Sequence, residues 1–405
     1  MELKFKTTQV DFFFASAFIV AACLLDIALR INGLKVGNIA LYLVALLLVF
    51  YKLVMLKGKY LGSFSKYDIP MLSFIFLAFL SLLWSPSVVE TLFHSCLLLM
   101  ILVSCILVSS VSFNAILKFS IQLGVFLCAV SLIMMFLMPS VAFQPISSSS
   151  FPELRGVFEH QLRLGVFSGI LAGFILISCR NGDWSYIFGS KLNLFCSILV
   201  VFLTLALAAA RLYTFFSLLS IAIIYFMPAQ LIRRYVFGFL VFSSFVLIAL
   251  NSEFLFQFMD AKGVDATLTG RTVIWSKSID IAIEKPIFGF GYPSFNNVMF
   301  DSDWKWYRPL HPHNSFVQAF FELGVLGLIA TILWVLSNFL EVLKYYGVHR
   351  GGQYLLYLFF MTFLGSFTGA NYASKPSYLI ILMLVFIISV RYEINKNIKA
   401  VRYDE

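Results

Sequence analysis

The feature that most constrains this chain is a succession of long apolar segments separated by short polar loops. Hydrophobic residues make up 61% of the 405 residues and charged residues only 12%, whereas soluble domains carry roughly 25% charged residues. A helix that crosses a bilayer needs about 20 mainly apolar residues. About twelve segments meet this requirement, and the chain is therefore predicted to be an all-α polytopic membrane protein. The predicted spans are approximately Val10–Leu29, Val36–Leu56, Asp68–Trp84, Val89–Val111, Asn114–Met138, Leu162–Ser178, Leu192–Ala210, Leu212–Pro228, Tyr235–Leu250, Ser315–Leu340, Gln353–Ala370 and Pro376–Val390.

The basic residues indicate an orientation for these spans. The formal net charge of +9 does not require a nucleic-acid partner, because the lysines and arginines are scattered through the short loops. Such residues concentrate on the cytoplasmic side of a membrane. Their placement predicts that both termini are cytoplasmic. The linker from Pro139 to Gln161, the turn at Arg211 and the loop from Asn251 to Asn314 are then expected on the opposite face.

The pattern divides the chain into three regions. Residues 1–250 are predicted to hold transmembrane helices 1 to 9, residues 251–314 to form a long external loop, and residues 315–405 to hold helices 10 to 12 and a cytoplasmic tail. The six cysteines lie in or beside apolar segments, and no carboxylate cluster favours a metal. No glycine signature of a nucleotide-binding fold is present. We therefore expect no metal and no other cofactor.

The external loop gathers the residues best able to do chemistry. Thr269 is suited to cap a helix running to about Lys285, which Pro286 would stop. This helix is predicted to be amphipathic and to lie on the membrane surface, with Arg271 aimed at a headgroup or phosphate. The alternative is a solvated charge at a helix start. The apolar positions that predict the amphipathic pattern are Val273, Ile274, Ile279, Ala282 and Ile283.

His313 stands where the loop meets an apolar segment. The positive end of the following helix disfavours imidazolium, which favours a neutral ring able to act as a general base. The alternative is that His313 caps the helix or packs against Trp304 or Trp306. His311 is two residues away and could share the role of His313, although a metal-binding pair of histidines is disfavoured by the intervening Pro312.

Three arginines are predicted to lie near this histidine. Arg155 and His160 come directly before one span, and Arg211 lies between two spans with no polar neighbour. Arginine at a span end favours contact with an anion, and its planar fork binds phosphate oxygens in pairs. Together with Arg271, these residues suggest a site for a lipid-linked diphosphate with a base nearby. Asp26 and His94 are interpreted as polar groups of helix packing.

Several of these segments, taken in order, resemble the bacterial O-antigen polymerase and O-antigen ligase superfamily, including the polymerases of exopolysaccharide export. The resembling pieces are Arg155-Gly156-Val157-Phe158-Glu159-His160 with Leu164-Gly165, the turn at Arg211, Gly270-Arg271-Thr272-Val273-Ile274-Trp275, Pro286-Ile287-Phe288-Gly289-Phe290-Gly291, and His313-Asn314-Ser315-Phe316 followed by Glu322-Leu323-Gly324 and Gly327. The chain departs from the family pattern around Arg211 and at Gln161-Leu162-Arg163.

The resemblance implies a GT-C-like membrane glycosyltransferase in the bacterial inner membrane, with a metal-independent, inverting reaction at the periplasmic face. The donor would be an undecaprenyl-diphosphate glycan and the acceptor a sugar hydroxyl. By analogy, Arg211, Arg271 and Arg155 would hold the diphosphate and His313 would activate the acceptor. The resemblance also marks accessory positions, which are His160, His311, Asn314 and Glu322.

The resemblance leaves the reaction open among several functions. A polymerase that extends a lipid-linked polysaccharide is favoured over a ligase that moves the finished glycan to lipid A-core or to protein. A lipid-linked oligosaccharide flippase would instead place charges at mid-span or show inverted repeats. The expected partners are the lipid-linked donor, the acceptor glycan, membrane lipid and a chain-length regulator, and no nucleic acid.

Overall fold

The described part of the protein is mainly helical. The computed structural model describes residues 2–27, 30–31, 34–56, 64–108, 110–144, 152–226, 269–301, 311–367, 369, 371–373 and 377–404. In these ranges, the only β-strands are β1 (Arg30–Ile31) and β2 (Leu34–Lys35), which have two residues each and pair antiparallel. The predicted all-α fold class is confirmed.

The helices follow one another with short connections. In chain order they are α1 (Glu2–Leu24), α2 (Val36–Leu56), α3 (Ile69–Leu80), α4 (Val88–Val108), α5 (Phe113–Leu137), α6 (Pro139–Ala142), α7 (Gln161–Asn181), α8 (Trp184–Phe188), α9 (Lys191–Leu207), α10 (Arg211–Phe226), α11 (Thr269–Ala282), α12 (Phe295–Asp301), α13 (Ser315–Tyr345), α14 (Gly352–Gly365) and α15 (Tyr378–Asp404).

The long helices match the predicted membrane spans. Among the described residues, six helical segments are long and apolar enough to cross a membrane, and five shorter apolar helices accompany them. All of these helices coincide with predicted spans. The predicted span Tyr235–Leu250 lies outside the described residues, so the number of crossings stays a prediction. The protein is a polytopic membrane protein.

Glycines on α7 let its neighbours approach closely. A Cβ atom built on Gly173 would lie 2.1 Å from Cζ of Tyr357 on α14, and one on Gly165 would lie 2.1 Å from Cβ of Ala210. Small residues at such contacts allow membrane helices to pack backbone to backbone. The contact at Gly165 holds the residue preceding Arg211 against the first turns of α7.

A buried ionic cluster joins three helices at the end of α13 that is distant from His313. Arg391 of α15 donates hydrogen bonds to Asp68, before α3, and to Glu341, near the end of α13, at 2.5 to 2.9 Å. All three side chains are buried. Two carboxylates with several charge-assisted hydrogen bonds satisfy this buried guanidinium.

Candidate active site

The turn after α11 docks onto a break in α13. Gly324 interrupts the helix with φ of 64° and ψ of −159°, and a Cβ there would lie 2.2 Å from the carbonyl oxygen of Ile287. Only glycine fits both constraints. The peptide N–H of Gly291 donates to the carbonyl of Glu322 at 2.7 Å, and that of Val325 to the carbonyl of Pro286 at 2.8 Å. The predicted rigid turn is therefore an anchor that fixes α11 beside α13.

The buried face of α11 rests on this anchor. Ile274, Ile281 and Ala282 pack in one cluster with Phe290 and Phe321. The predicted apolar stripe is only partly correct, since three of its members are exposed. These are Val273, Ile279 and Ile283. The side of α11 that carries Ile274 is buried because it packs against aromatic rings of the docked turn and of α13.

A single hydrogen bond ties α11 to the histidine-bearing turn. The indole Nε1 of Trp275 donates to the carbonyl oxygen of Pro312 at 2.7 Å. Arg271 precedes Trp275 by four residues and so lies on the same side of the helix, one turn away. Arg271 is thereby held beside His313, and its charge contributes to lowering the pKa of His313.

His313 has an unusual backbone conformation. Its φ is 56°, in the left-handed region, and its peptide N–H donates to Nδ1 of His311 at 3.2 Å. The two imidazole rings lie 4.2 Å apart between centroids. The next residue, Asn314, caps α13 by accepting the N–H of Phe316 at 2.9 Å. The alternative in which His313 caps the helix is therefore wrong, and Trp304 and Trp306 lie outside the described residues.

The imidazole of His313 is held neutral. Burial lowers its pKa to about 4, with further contributions from the charges of Arg271, Arg163 and His160. Desolvation and nearby cations both disfavour imidazolium. A neutral ring was predicted from the helix dipole, whereas burial is the first cause in the structure. At neutral pH the ring is available to accept a proton.

The segment before α7 brings a second histidine into this region. His160 is the N-cap of α7, and its Nδ1 accepts the N–H of Leu162 at 3.2 Å. Burial and the charges of Arg163 and Arg155 lower the pKa of His160. Arg155 is itself fixed, because its Nε donates to the carbonyl oxygen of Val141 at 2.8 Å.

Arg211 begins α10, which confirms the predicted tight turn between two helices. The turn contains Ala209 with φ of 50°, and the N–H of Arg211 donates to the carbonyl of Ala209 at 2.8 Å. Its side chain is exposed, and within the described ranges no carboxylate forms an ion pair with it. Ala210 of this turn packs against Gly165 of α7. The guanidinium of Arg211 remains at the surface beside α7.

The structure thus brings the predicted arginines together unequally. Arg271 lies close enough to His313 to lower its pKa, and Arg155 lies close enough to His160 to lower its pKa. Arg211 starts the helix that packs against the first turns of α7.

Glu322 lies about 12 Å further along α13 than Asn314, from the 1.5 Å rise per residue. Its buried carboxylate accepts hydrogen bonds from the N–H of Phe295 at 3.3 Å and from Nε2 of Gln318 at 3.1 Å.

Sequence reasoning missed two residues of this region. Arg163 was noted only as a departure from the family pattern, and Asp26 only as a packing group. In the structure, Nη1 of Arg163 lies 3.4 Å from Oδ1 of Asp26, and the Arg163 charge acts on His313. The available signal was an arginine three residues after a helix-capping histidine.

Within the described ranges, no group of three or more His, Cys, Asp and Glu side chains is placed to hold a metal ion.

The long apolar helices define a polytopic membrane protein, and the described residues place arginines and a neutral histidine at one end of its helices. Residues 192–332 match the family described as "O-Antigen ligase". This range includes Arg211, Arg271, His313 and Glu322, whereas Arg155, His160 and Arg163 precede it. The resemblance to the O-antigen ligase and polymerase-like superfamily seen in the sequence is confirmed over this range.

Three relatives are consistent with this resemblance. The chain is 32% identical over 94 residues to "Exopolysaccharide production protein ExoQ" of Rhizobium meliloti (strain 1021), covering 21% of this chain and 22% of that protein. It is 42% identical over 67 residues to "Putative polysaccharide ligase RC0486" of Rickettsia conorii, covering 15% and 16%. It is 28% identical over 174 residues to "Putative polysaccharide ligase RT0347" of Rickettsia typhi, covering 38% and 41%. The chain thus matches less than half the length of each relative.

Proposed function

We propose that this protein is a glycosyltransferase that moves a glycan from an undecaprenyl-diphosphate donor to a hydroxyl of an acceptor sugar. The observation that carries the proposal is the fixed juxtaposition of Arg271 and His313, made by the Trp275 hydrogen bond to Pro312. A cation and a neutral base held side by side suit a reaction in which an anion leaves and a proton is removed.

Among the three histidines of the site, His313 is the one suited to act as base. His160 and His311 each use Nδ1 to accept a peptide N–H, so each neutral ring carries its proton on Nε2 and offers no second acceptor. In the described part of the chain, no residue hydrogen-bonds to a ring nitrogen of His313. This elimination supports His313 as the proton acceptor and the other two as positioning residues.

The reaction balances without a metal or a nucleotide. A ring nitrogen of His313 takes the proton of the acceptor hydroxyl, whose oxygen forms a bond to the anomeric carbon. The bond from that carbon to the phosphate oxygen breaks, and its electron pair leaves with undecaprenyl diphosphate. Attack opposite to the leaving group inverts the anomeric centre. Arg271 and Arg211, with Arg155 as a third cation, stabilise the departing oxygens.

The favoured reaction is polymerisation, in which the acceptor is another lipid-linked glycan. The similarity to an exopolysaccharide production protein supports this choice. The family description and the printed names of the two rickettsial relatives favour a ligase as the second candidate. Supplying purified protein with a lipid-linked acceptor or with lipid A-core separates the two, because only the true acceptor gives a longer product.

The proposal includes a setting in the bacterial inner membrane. Both termini are proposed to be cytoplasmic, and the site to face the periplasm, where the donor is displayed after export. A chain-length regulator is a further proposed partner of the polymerase. A flippase, the remaining alternative, would move the lipid-linked glycan without forming any new glycosidic bond.

The test uses purified protein, a defined undecaprenyl-diphosphate glycan, no nucleotide and a chelator. Arg211→Ala and Arg271→Ala are each expected to abolish transfer, and the corresponding lysine variants to restore it poorly, because lysine lacks the bidentate fork. Arg350→Lys is the control, since Arg350 pairs with Asp183 outside the site. Near-normal transfer by both lysine variants, or a strict need for divalent metal, would contradict the proposed chemistry.

A further inference from the structure

Arg163 occupies the first turn of α7. Its charge acts on His313, the residue beside Arg271. It also has Tyr213 as an electrostatic neighbour, and Tyr213 lies two residues after Arg211. Arg163 is therefore near both the α11 side and the α10 side of the site, and it extends from the N-terminal turn of a helix that favours anions.

The ion pair of Arg163 leaves most of its guanidinium available. Only the contact of Nη1 with Oδ1 of Asp26 brings the two charges together, at 3.4 Å, and the Arg163 side chain is 45% exposed. Such a long, single contact at the surface stabilises a fold very little.

Arg391 shows how this protein builds a structural arginine. That side chain is 4% exposed and makes bidentate contacts with both Asp68 and Glu341, at 2.5 to 2.9 Å. Arg163 has neither this burial nor these bidentate contacts. Arg163 is thus placed like a residue that can bind an external anion.

We propose that Arg163 is a further ligand of the donor diphosphate, and that Asp26 is its resting partner, which the phosphate oxygens displace. This inference rests on the proposed function. Arg163 lies outside the part of the chain that matches the family description. Arg163 supplies a guanidinium in addition to those of Arg271, Arg211 and Arg155, and it is less engaged than Arg155, whose Nε donates to a backbone carbonyl.

The test measures binding of inorganic diphosphate to purified protein by calorimetry, together with the donor KM in the transfer assay. Arg163→Gln is expected to weaken diphosphate binding and raise the donor KM roughly 10- to 100-fold, the usual effect of losing a charged hydrogen-bond partner. Asp26→Asn is expected to bind diphosphate at least as tightly as the native protein, because it removes the competing carboxylate. Arg350→Gln is the matched control, since Arg350 also makes one long contact, 3.7 Å to Asp183, with an exposed side chain.

The two variants also separate a binding role from a structural one. If the Arg163 to Asp26 pair only holds α1 to α7, Asp26→Asn loses as much binding and thermal stability as Arg163→Gln, and the inference is overturned. Unchanged diphosphate binding in Arg163→Gln overturns it as well. Failure of the proposed function is a different result, namely no transfer by the native protein, and the calorimetric comparison tests Arg163 even then.

Discussion

Trp275 and Pro312 are joined by a 2.7 Å hydrogen bond from the indole Nε1 to the proline carbonyl oxygen. This bond crosses from the helix that carries Arg271 to the turn that carries His313. Neither residue does chemistry in the proposed reaction. Their contact nevertheless sets the distance between the cation and the base, so the proposed site depends on it.

Replacing Trp275 by Phe tests this dependence. The variant keeps an aromatic side chain but removes the donor, and a net hydrogen bond stabilises by about 0.5 to 1.5 kcal/mol. We expect transfer to fall roughly 2- to 12-fold, which is that energy expressed as a rate, with little change in thermal stability. Trp184→Phe, on the short helix α8, is the control and should transfer normally. Equal activity of both variants would contradict a positioning role for Trp275.

His311 is expected to act through its Nδ1. Asparagine places an oxygen close to the position of Nδ1, whereas glutamine reaches further, toward the position of Nε2. His311→Asn should therefore keep the acceptor for the His313 N–H and most of the activity. His311→Gln and His311→Ala should lose activity several-fold, on the order of one hydrogen bond. Steady-state transfer rates of the three variants measure this, and a better result for glutamine than for asparagine would contradict it.

The pH dependence of transfer should report His313. Its pKa is lowered to about 4, so the required neutral ring is fully present at neutral pH and is lost only as the pH falls through that value. Removing the nearby charge in Arg163→Gln should raise this pKa, because the Arg163 charge also lowers it. The acid limb of the residual activity is then expected at higher pH than in the native protein. An acid limb that stays in place would indicate that another group controls it.

Labelling of single cysteines tests the proposed orientation. Pro152→Cys and Ile283→Cys place thiols at exposed positions near the site, in a background where the exposed Cys196 is replaced by serine. Both should react with a membrane-impermeant reagent in intact spheroplasts. Val348→Cys, exposed at the other end of α13, should react only after lysis. The reverse pattern would overturn both the orientation and the periplasmic site.

The sequence predicted the helices and turns that depend on residues close together in the chain. Apolar segments long enough to span a bilayer became helices, and the arginine turn at Arg211 separates α9 from α10 as expected. The helix from Thr269 was also correct, although it ends at Ala282 instead of Lys285, and residues 283–285 form a turn whose N–H groups donate back to the last residues of the helix.

What the sequence did not predict depends on contacts between separate segments. The left-handed backbone of His313 is an exception, because it accompanies two local hydrogen bonds, one from its own N–H to His311 and one from Phe316 to the capping residue Asn314. The pairing of Arg163 with Asp26 joins α7 to the end of α1. The break at Gly324 is explained only by the turn that docks there.

The central claim is that His313 removes the acceptor proton while the arginines hold the diphosphate. The most direct measurement is transfer of a defined lipid-linked glycan by purified His313→Ala, beside donor binding by the same variant. Loss of a general base costs about 100- to 10,000-fold in rate, so transfer should collapse while donor binding and thermal stability stay close to those of the native protein. Robust product from His313→Ala would contradict the account.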